Sequence, residues 1–207
     1  NGNQPFVYNN FVLVANCEIY NFRSLKNDLA KKYKFKSNSD AEVLIYAYAE
    51  WGENFVTKLE GMFSIVIYDK ISKEVKLFRD RFGIKPIYYF INEEHFIFSS
   101  EFLPITKVLK LLKISTNYNY ESIDNFFYCG YNFDENTNIQ KIYKVKPSHY
   151  IIFDNFFIKK KEYWKLTKNK SQNSFALDFD EVETLLNESV EKHLISDKEQ
   201  SNSFAIG

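Results

Sequence analysis

The sequence predicts an α+β fold, and three observations carry the prediction. A short apolar run is followed by apolar residues at helical spacing between Phe22 and Leu59. Beyond Gly61 the period falls to two, and four short strand-like segments follow one another. Two more helical patterns and two more strands continue to Tyr163, which places strands and helices around one layered core.

Residues 11–15 are apolar and end in polar neighbours, as a buried strand does. Asn21 is placed to cap a helix that carries Phe22, Leu25 and Leu29 on one face, and Lys31-Lys32 suits the negative end of its dipole. Ser39-Asp40 opens a second helix, with Val43, Leu44, Ala47 and Tyr48 in its apolar stripe. Residues 53–59 form a third, short helix, stopped at Gly61. The strands fall at 62–68, 74–79, 87–90 and 96–99, with Asp69-Lys70 and Asn92-Glu93-Glu94 as turn residues. Helices over 102–109 and 122–128 precede strands over 149–153 and 157–163. One domain therefore spans 1–170, and 171–179, polar and without period, reads as a linker. A helix from Asp180 to about Ile195 and a strand over 203–206 begin a second unit, 180–207.

Composition excludes several classes of function. The 207 residues carry 27 basic and 27 acidic side chains, scattered rather than blocked, which argues against nucleic-acid or membrane-surface partners. Hydrophobic residues reach 45%, yet no run approaches the roughly 20 residues of a membrane span. The 21 Phe and 15 Tyr are read as core rather than as stacking platforms for bases. Cys17 and Cys129 have neither metal-ligand nor disulfide-framework spacing, so no metal is expected and both read as reduced thiols of a cytoplasmic protein. The chain opens without Met and closes on an apolar segment, which predicts a piece cut at both ends.

The chemistry concentrates in Asn16-Cys17-Glu18-Ile19-Tyr20-Asn21. An Asn at the end of a strand, followed by an exposed backbone N–H, presents two donors to one developing oxyanion. Taken singly, Asn16 reads as a turn residue before a catalyst, and Asp40 as a helix cap before a ligand for an ammonium group; the run and spacing together reverse the reading of Asp40. Arg79, Asp80 and Arg81 read mainly as a charged network bracing the turn through Gly83 to Pro86, and Ser100-Glu101 as a cap for the helix that follows.

Taken together these runs are specific. Gln4-Pro5, the 16–21 run, Ser39-Asp40, Glu50-Trp51-Gly52-Glu53 and Leu59-Glu60-Gly61-Met62-Phe63 follow one another in a fixed order. Arg79 through Tyr89, Ser100-Glu101, Gly130-Tyr131, Lys146-Pro147 and His149-Tyr150 complete the series. In that order and spacing, nearly the whole chain resembles the class II glutamine amidotransferase region of glutamine-hydrolysing asparagine synthetases. The resemblance implies the four-layer αββα sandwich of N-terminal-nucleophile hydrolases. An N-terminal Cys attacks the glutamine side-chain amide, with its own α-amine as base, giving a thioester and ammonia. Asn16 and the backbone N–H of Cys17 would hold the oxyanion, Glu18 would line the glutamine pocket, and Asp40 would hold the α-ammonium of L-glutamine. An upstream Arg would grip the α-carboxylate. Ammonia would pass to aspartate or another carboxylate, activated with ATP and Mg2+ in a second domain. Residues 180–207 would supply the first helix and strand of that α/β ATP-pyrophosphatase-like domain, with Ile206 and Gly207 at the threshold of its phosphate loop. A homodimer is compatible with this family.

Departures from the family pattern shape the expectations. Residue 17 is Cys where the family has Gly, at a cost of about 1–2 kcal/mol if the site needs positive φ. No Cys precedes Asn16, and the gripping Arg is absent too, so the chain alone is expected neither to hydrolyse glutamine nor to make asparagine. Cys17 as the nucleophile is disfavoured, because none of His95, His149 and His193 stands in a Cys/His pattern with it. Two rival readings stay open. One is a scaffold domain that has lost glutamine chemistry, as in β-lactam synthetase. The other is a phosphoribosyl-transferring amidotransferase.

Overall fold

Two antiparallel sheets stack between helices in the computed structural model, which describes residues 3–132, 135–167 and 179–194. The first sheet runs β1 (Phe6–Tyr8), β2 (Phe11–Ile19), β3 (Gly61–Asp69), β4 (Val75–Arg79), β8 (His149–Asp154), β9 (Phe157–Glu162). The second runs β6 (Phe96–Ser99), β5 (Tyr88–Ile91), β7 (Ile142–Lys144). Five helices longer than one turn are described: α1 (Phe22–Leu29), α2 (Asp40–Trp51), α3 (Phe102–Leu111), α4 (Tyr120–Cys129) and α5 (Phe179–Leu194). A 3-10 helix, Gly52–Lys58, links α2 to β3.

Alternation along the strands sorts side chains into three packed interfaces. Leu13, Phe63, Ile65, Ile67 and Phe78 face α1 and α2, meeting Phe22, Leu25, Val43 and Leu44. Val66, Leu77 and Ile151 face the other way, onto Ile87, Tyr89 and Val145 of the second sheet and its flanks. Phe90 and Ile142 turn outward to Ile105 and Leu109 of α3. The layer order is helix, sheet, sheet, helix, the αββα arrangement that the family resemblance implies. Helix α2 is buried from Ala41 through Tyr48, because α1 lies beside it and the sheet below it. Glu42 survives in that interior, 3% exposed, by accepting from Lys36 N, Ser37 N and Ser37 Oγ at 2.8, 2.7 and 2.6 Å.

The turn after β4 is organised by one buried carboxylate. Asp80, 1% exposed, accepts from the backbone N–H groups of Phe82 and Ile84 through Oδ1, and from Phe63 and Lys85 through Oδ2. Arg79 donates to the carbonyls of Gly83, Lys85 and Val145, and Arg81 to those of Thr57 and Leu59. The bracing role read from the sequence for these three residues agrees with these bonds.

Several local expectations are corrected. Asn21 precedes α1 without a side-chain cap bond, because its amide is engaged elsewhere: Nδ2 donates to Lys58 O and Oδ1 accepts from Glu60 N. Glu101 precedes α3, also without a side-chain cap bond. The three-residue strands β1 and β7 have no sequence signal long enough to show a period, and went unpredicted. The 171–179 linker lies almost wholly outside the described residues, as do the 203–206 strand, Ile206 and Gly207; Phe179 is the first residue of α5.

Candidate functional site

Strand β2 does not stop at Ala15. It continues through Ile19, so Asn16, Cys17 and Glu18 lie inside a strand rather than in a turn after one. They pair with Ser64, Phe63 and Met62 of β3, and Ile19 pairs with Gly61. Gly61 permits the extension: at φ +146° any Cβ there would meet the carbonyl oxygen of Glu18 at 2.1 Å. A side chain at position 61 would push the strands apart just where the candidate residues sit.

The strand geometry then divides the roles. Ala15, Cys17 and Ile19 turn their side chains toward the helical layer. Asn16 and Glu18, both exposed, turn theirs to the opposite face. Backbone groups of Ala15, Cys17 and Ile19 point along the edge away from β3, because the intervening residues hold the ladder to it. The edge is finished by side chains. Gln4 accepts from Ala15 N at 2.6 Å and donates to Ala15 O at 2.8 Å. Asp40 Oδ2 accepts from Ile19 N at 2.9 Å and lies 3.8 Å from Cys17 Sγ. Cys17 N–H points the same way, between these two anchors.

Asp40 is not the cap of α2. Ser39 is, with its Oγ accepting from Ala41 N at 3.3 Å. Asp40 is the first helical residue, where the positive end of the helix dipole favours a carboxylate. It reaches across to β2 instead. Residue 17 is absent from the positions with positive φ, so the strain expected for a side chain there does not arise. Its thiol packs toward the helices, on the face away from Asn16 and Glu18.

The structure therefore joins Cys17 to Asp40 directly and places Asn16 and Glu18 beside them on the other face of the same strand. Glu18 Oε1 meets Lys85 Nζ at 3.7 Å, a partner not picked out from the sequence, where Lys85 belonged to a run read as structural. Gln4 as an edge residue was likewise missed; only its place in the ordered series marked it. Tyr20 follows in the run. Burial first, and then the charges of Glu18 and Asp80, hold its phenol above the ordinary range, and its hydroxyl has no hydrogen-bond partner among the described residues. Among the described residues no group of three His, Cys, Asp or Glu is placed to hold a metal ion, and no helix is long and apolar enough to cross a membrane. A cleft of about 240 Å³ between Asn119 and Tyr143 shares no residue with this site.

A strand carrying an exposed Asn, an adjacent edge N–H and two nearby carboxylates suits recognition of an amide-bearing, positively charged small molecule. The layer order is that of an amidotransferase-type αββα domain. The chain belongs to the glutamine amidotransferase domain family, whose profile matches residues 1–164. Its relatives include asparagine synthetase [glutamine-hydrolyzing] 3 of Bacillus subtilis, 30% identical over 189 residues, 90% of this chain and 30% of that protein. Asparagine synthetase [glutamine-hydrolyzing] 2 of the same organism is 47% identical over 103 residues, 49% of this chain and 14% of the relative. The chain thus spans about a third or less of the length of these relatives. Among solved structures, the glutamine phosphoribosylpyrophosphate amidotransferase of B. subtilis superposes with a TM-score of 0.52 at 19% identity. That match covers 78% of this chain and 32% of the other, and shows a shared fold.

Proposed function

We propose that this chain forms the glutamine-binding and oxyanion-holding part of a glutamine-dependent asparagine synthetase or close relative. The observation that carries the reading is the register of β2: it sets the Asn16 side chain beside the N–H of residue 17, with Asp40 anchored one N–H further along. In this reading a cysteine thiolate attacks the side-chain carbonyl carbon of L-glutamine. The oxygen gains the electron pair and is held by Asn16 Nδ2–H and the residue 17 N–H. Collapse expels ammonia, which takes the proton from the base, and water then hydrolyses the thioester to glutamate. Asp40 receives the substrate α-ammonium and Glu18 lines the pocket.

The attacking thiol is neither of the two in this chain. Cys17 packs toward the helices and Cys129 is exposed at the end of α4, so the 207 residues alone are expected to release no ammonia. The ammonia would be delivered to aspartate or another carboxylate activated with ATP and Mg2+, in a region of the relatives that this chain does not span. A cytoplasmic location and a homodimer accord with that role.

The test is ammonia release from glutamine by the full-length gene product, with and without Cys17→Gly. Release within about threefold in both forms is expected, since the extended residue 17 keeps its N–H with either side chain. Release only after Cys17→Gly would place a defect at the thiol. No release in either form would favour the scaffold reading over this one.

A further inference from the structure

We propose that Lys85 is a positioning residue for the glutamine pocket, acting through Glu18; this rests on the functional reading above. Glu18 stands on the open face of β2 with its side chain 56% exposed, and a free glutamate there would sample many rotamers. Lys85 is the cation that meets it, Nζ to Oε1 at 3.7 Å, and its own side chain is only 23% exposed. The backbone of Lys85 is fixed at both polar groups. Its N–H donates to Asp80 Oδ2 at 3.0 Å and its carbonyl accepts from Arg79 Nε at 3.1 Å. Asp80 and Arg79 belong to the buried network that closes the turn after β4. A rigid turn therefore presents one ammonium to one carboxylate of the candidate pocket.

Stability alone is a weak reason for such a pair. A half-exposed ion pair at this distance contributes little to folding. Its use lies in orientation. Lys85 engages one oxygen of Glu18 and leaves the other to accept an N–H from the bound amino acid. The cation also belongs to a turn tied to β3 through Asp80, which accepts from Phe63 N, and β3 is the strand that pairs with Glu18, so pocket wall and orienting charge share one support.

The experiment is steady-state glutamine hydrolysis by the full-length gene product, with melting temperatures recorded for every variant. Lys85→Met is expected to raise KM for glutamine about tenfold with kcat nearly unchanged, the pattern of lost substrate binding rather than lost transition-state stabilisation. Lys85→Arg should recover most of that loss. The reversed pair Glu18→Lys with Lys85→Glu should melt like the unaltered protein and still bind glutamine poorly, because the charge facing the substrate is inverted. An unchanged KM in Lys85→Met, or full recovery in the reversed pair, would overturn the proposal while leaving the glutaminase reading intact. No ammonia release by the unaltered enzyme would defeat the functional reading first, and this proposal with it.

Discussion

At the scale of single residues, the alternation of a strand separates two properties of position 17 that a sequence alone joins. The residue contributes its N–H to one edge and its thiol to the helical face, so Cys in place of Gly changes packing more than it changes the donor. Asn16 has no such latitude, because its contribution is the side chain. Asn16→Ala in the full-length enzyme is expected to lower kcat by about 100-fold, the usual cost of one oxyanion donor, with the melting temperature unchanged. Rapid-quench measurement of ammonia release checks it; a loss confined to KM would assign Asn16 to ground-state binding. Asn16, Cys17, Glu18 and Asp40 were legible as an ordered set of motifs. Lys85 was not, because an ion pair between a strand and a distant turn leaves no periodic trace.

At the scale of elements, long amphipathic or apolar segments were readable and short or side-chain-finished ones were not. Helix α2 and strands β3, β4 and β8 appear close to where periodicity placed them, since each buries a continuous face. β2 outran its expected end because Gly61, on the partner strand, permits the ladder to continue, and that cause lies more than forty residues away in the chain. The turn after β4 depends on Asp80 in a way that its neighbours cannot replace. Asp80→Asn keeps the shape but turns an NH2 toward two of the four backbone donors, and should lower stability by about 3 kcal/mol in urea unfolding. Strand β4 carries a second buried charge, Lys76, bonded to Tyr48 Oη and Glu53 Oε1. Burial by itself would lower the pKa of this ammonium; the bonds to Glu53 and Tyr48 outweigh it and hold the group above its ordinary 10.5. The same bond to Lys76 lowers Glu53 below its ordinary 4.5. The signs are opposite, and so are the limits. Glu53 stabilises the fold above its unfolded pKa, and this is lost as pH falls through its folded value. Lys76 stabilises below 10.5, and this is lost as pH rises through its folded value. The difference in urea midpoint between the unaltered chain and Lys76→Met should therefore stay level from about pH 6 to 9 and shrink below about pH 4.5. A difference that grows in acid would contradict the assignment.

At the scale of the whole molecule, the sandwich and the last helix are unequal partners. α5 has no buried residue; its contacts with the domain include Lys192 to Glu60 at 3.1 Å and His193 against the ring of Tyr20 at 4.6 Å. Phe179, Val182, Leu186, Val190 and Leu194 remain exposed along it. Little of the domain's stability can come from a helix with no buried residue, and a chain ending at residue 167 should melt within about 2 °C of the 207-residue chain, given that roughly 1 kcal/mol moves a domain of this size by 2–4 °C. Calorimetry on both decides it: a larger drop would make α5 part of the cooperative unit. The four-layer order followed from the resemblance, and the interior bears it out through three separate apolar interfaces.

One small feature reaches beyond the single molecule. The border of β2 at Ala15 is completed by a side-chain amide, with Gln4 offering the donor and acceptor that a neighbouring strand would otherwise bring. Open strand borders recruit strands from other molecules and seed fibrous association. Gln4 occupies that position in advance, so one side chain guards the strand that carries Asn16 and Cys17 against being zipped into an aggregate.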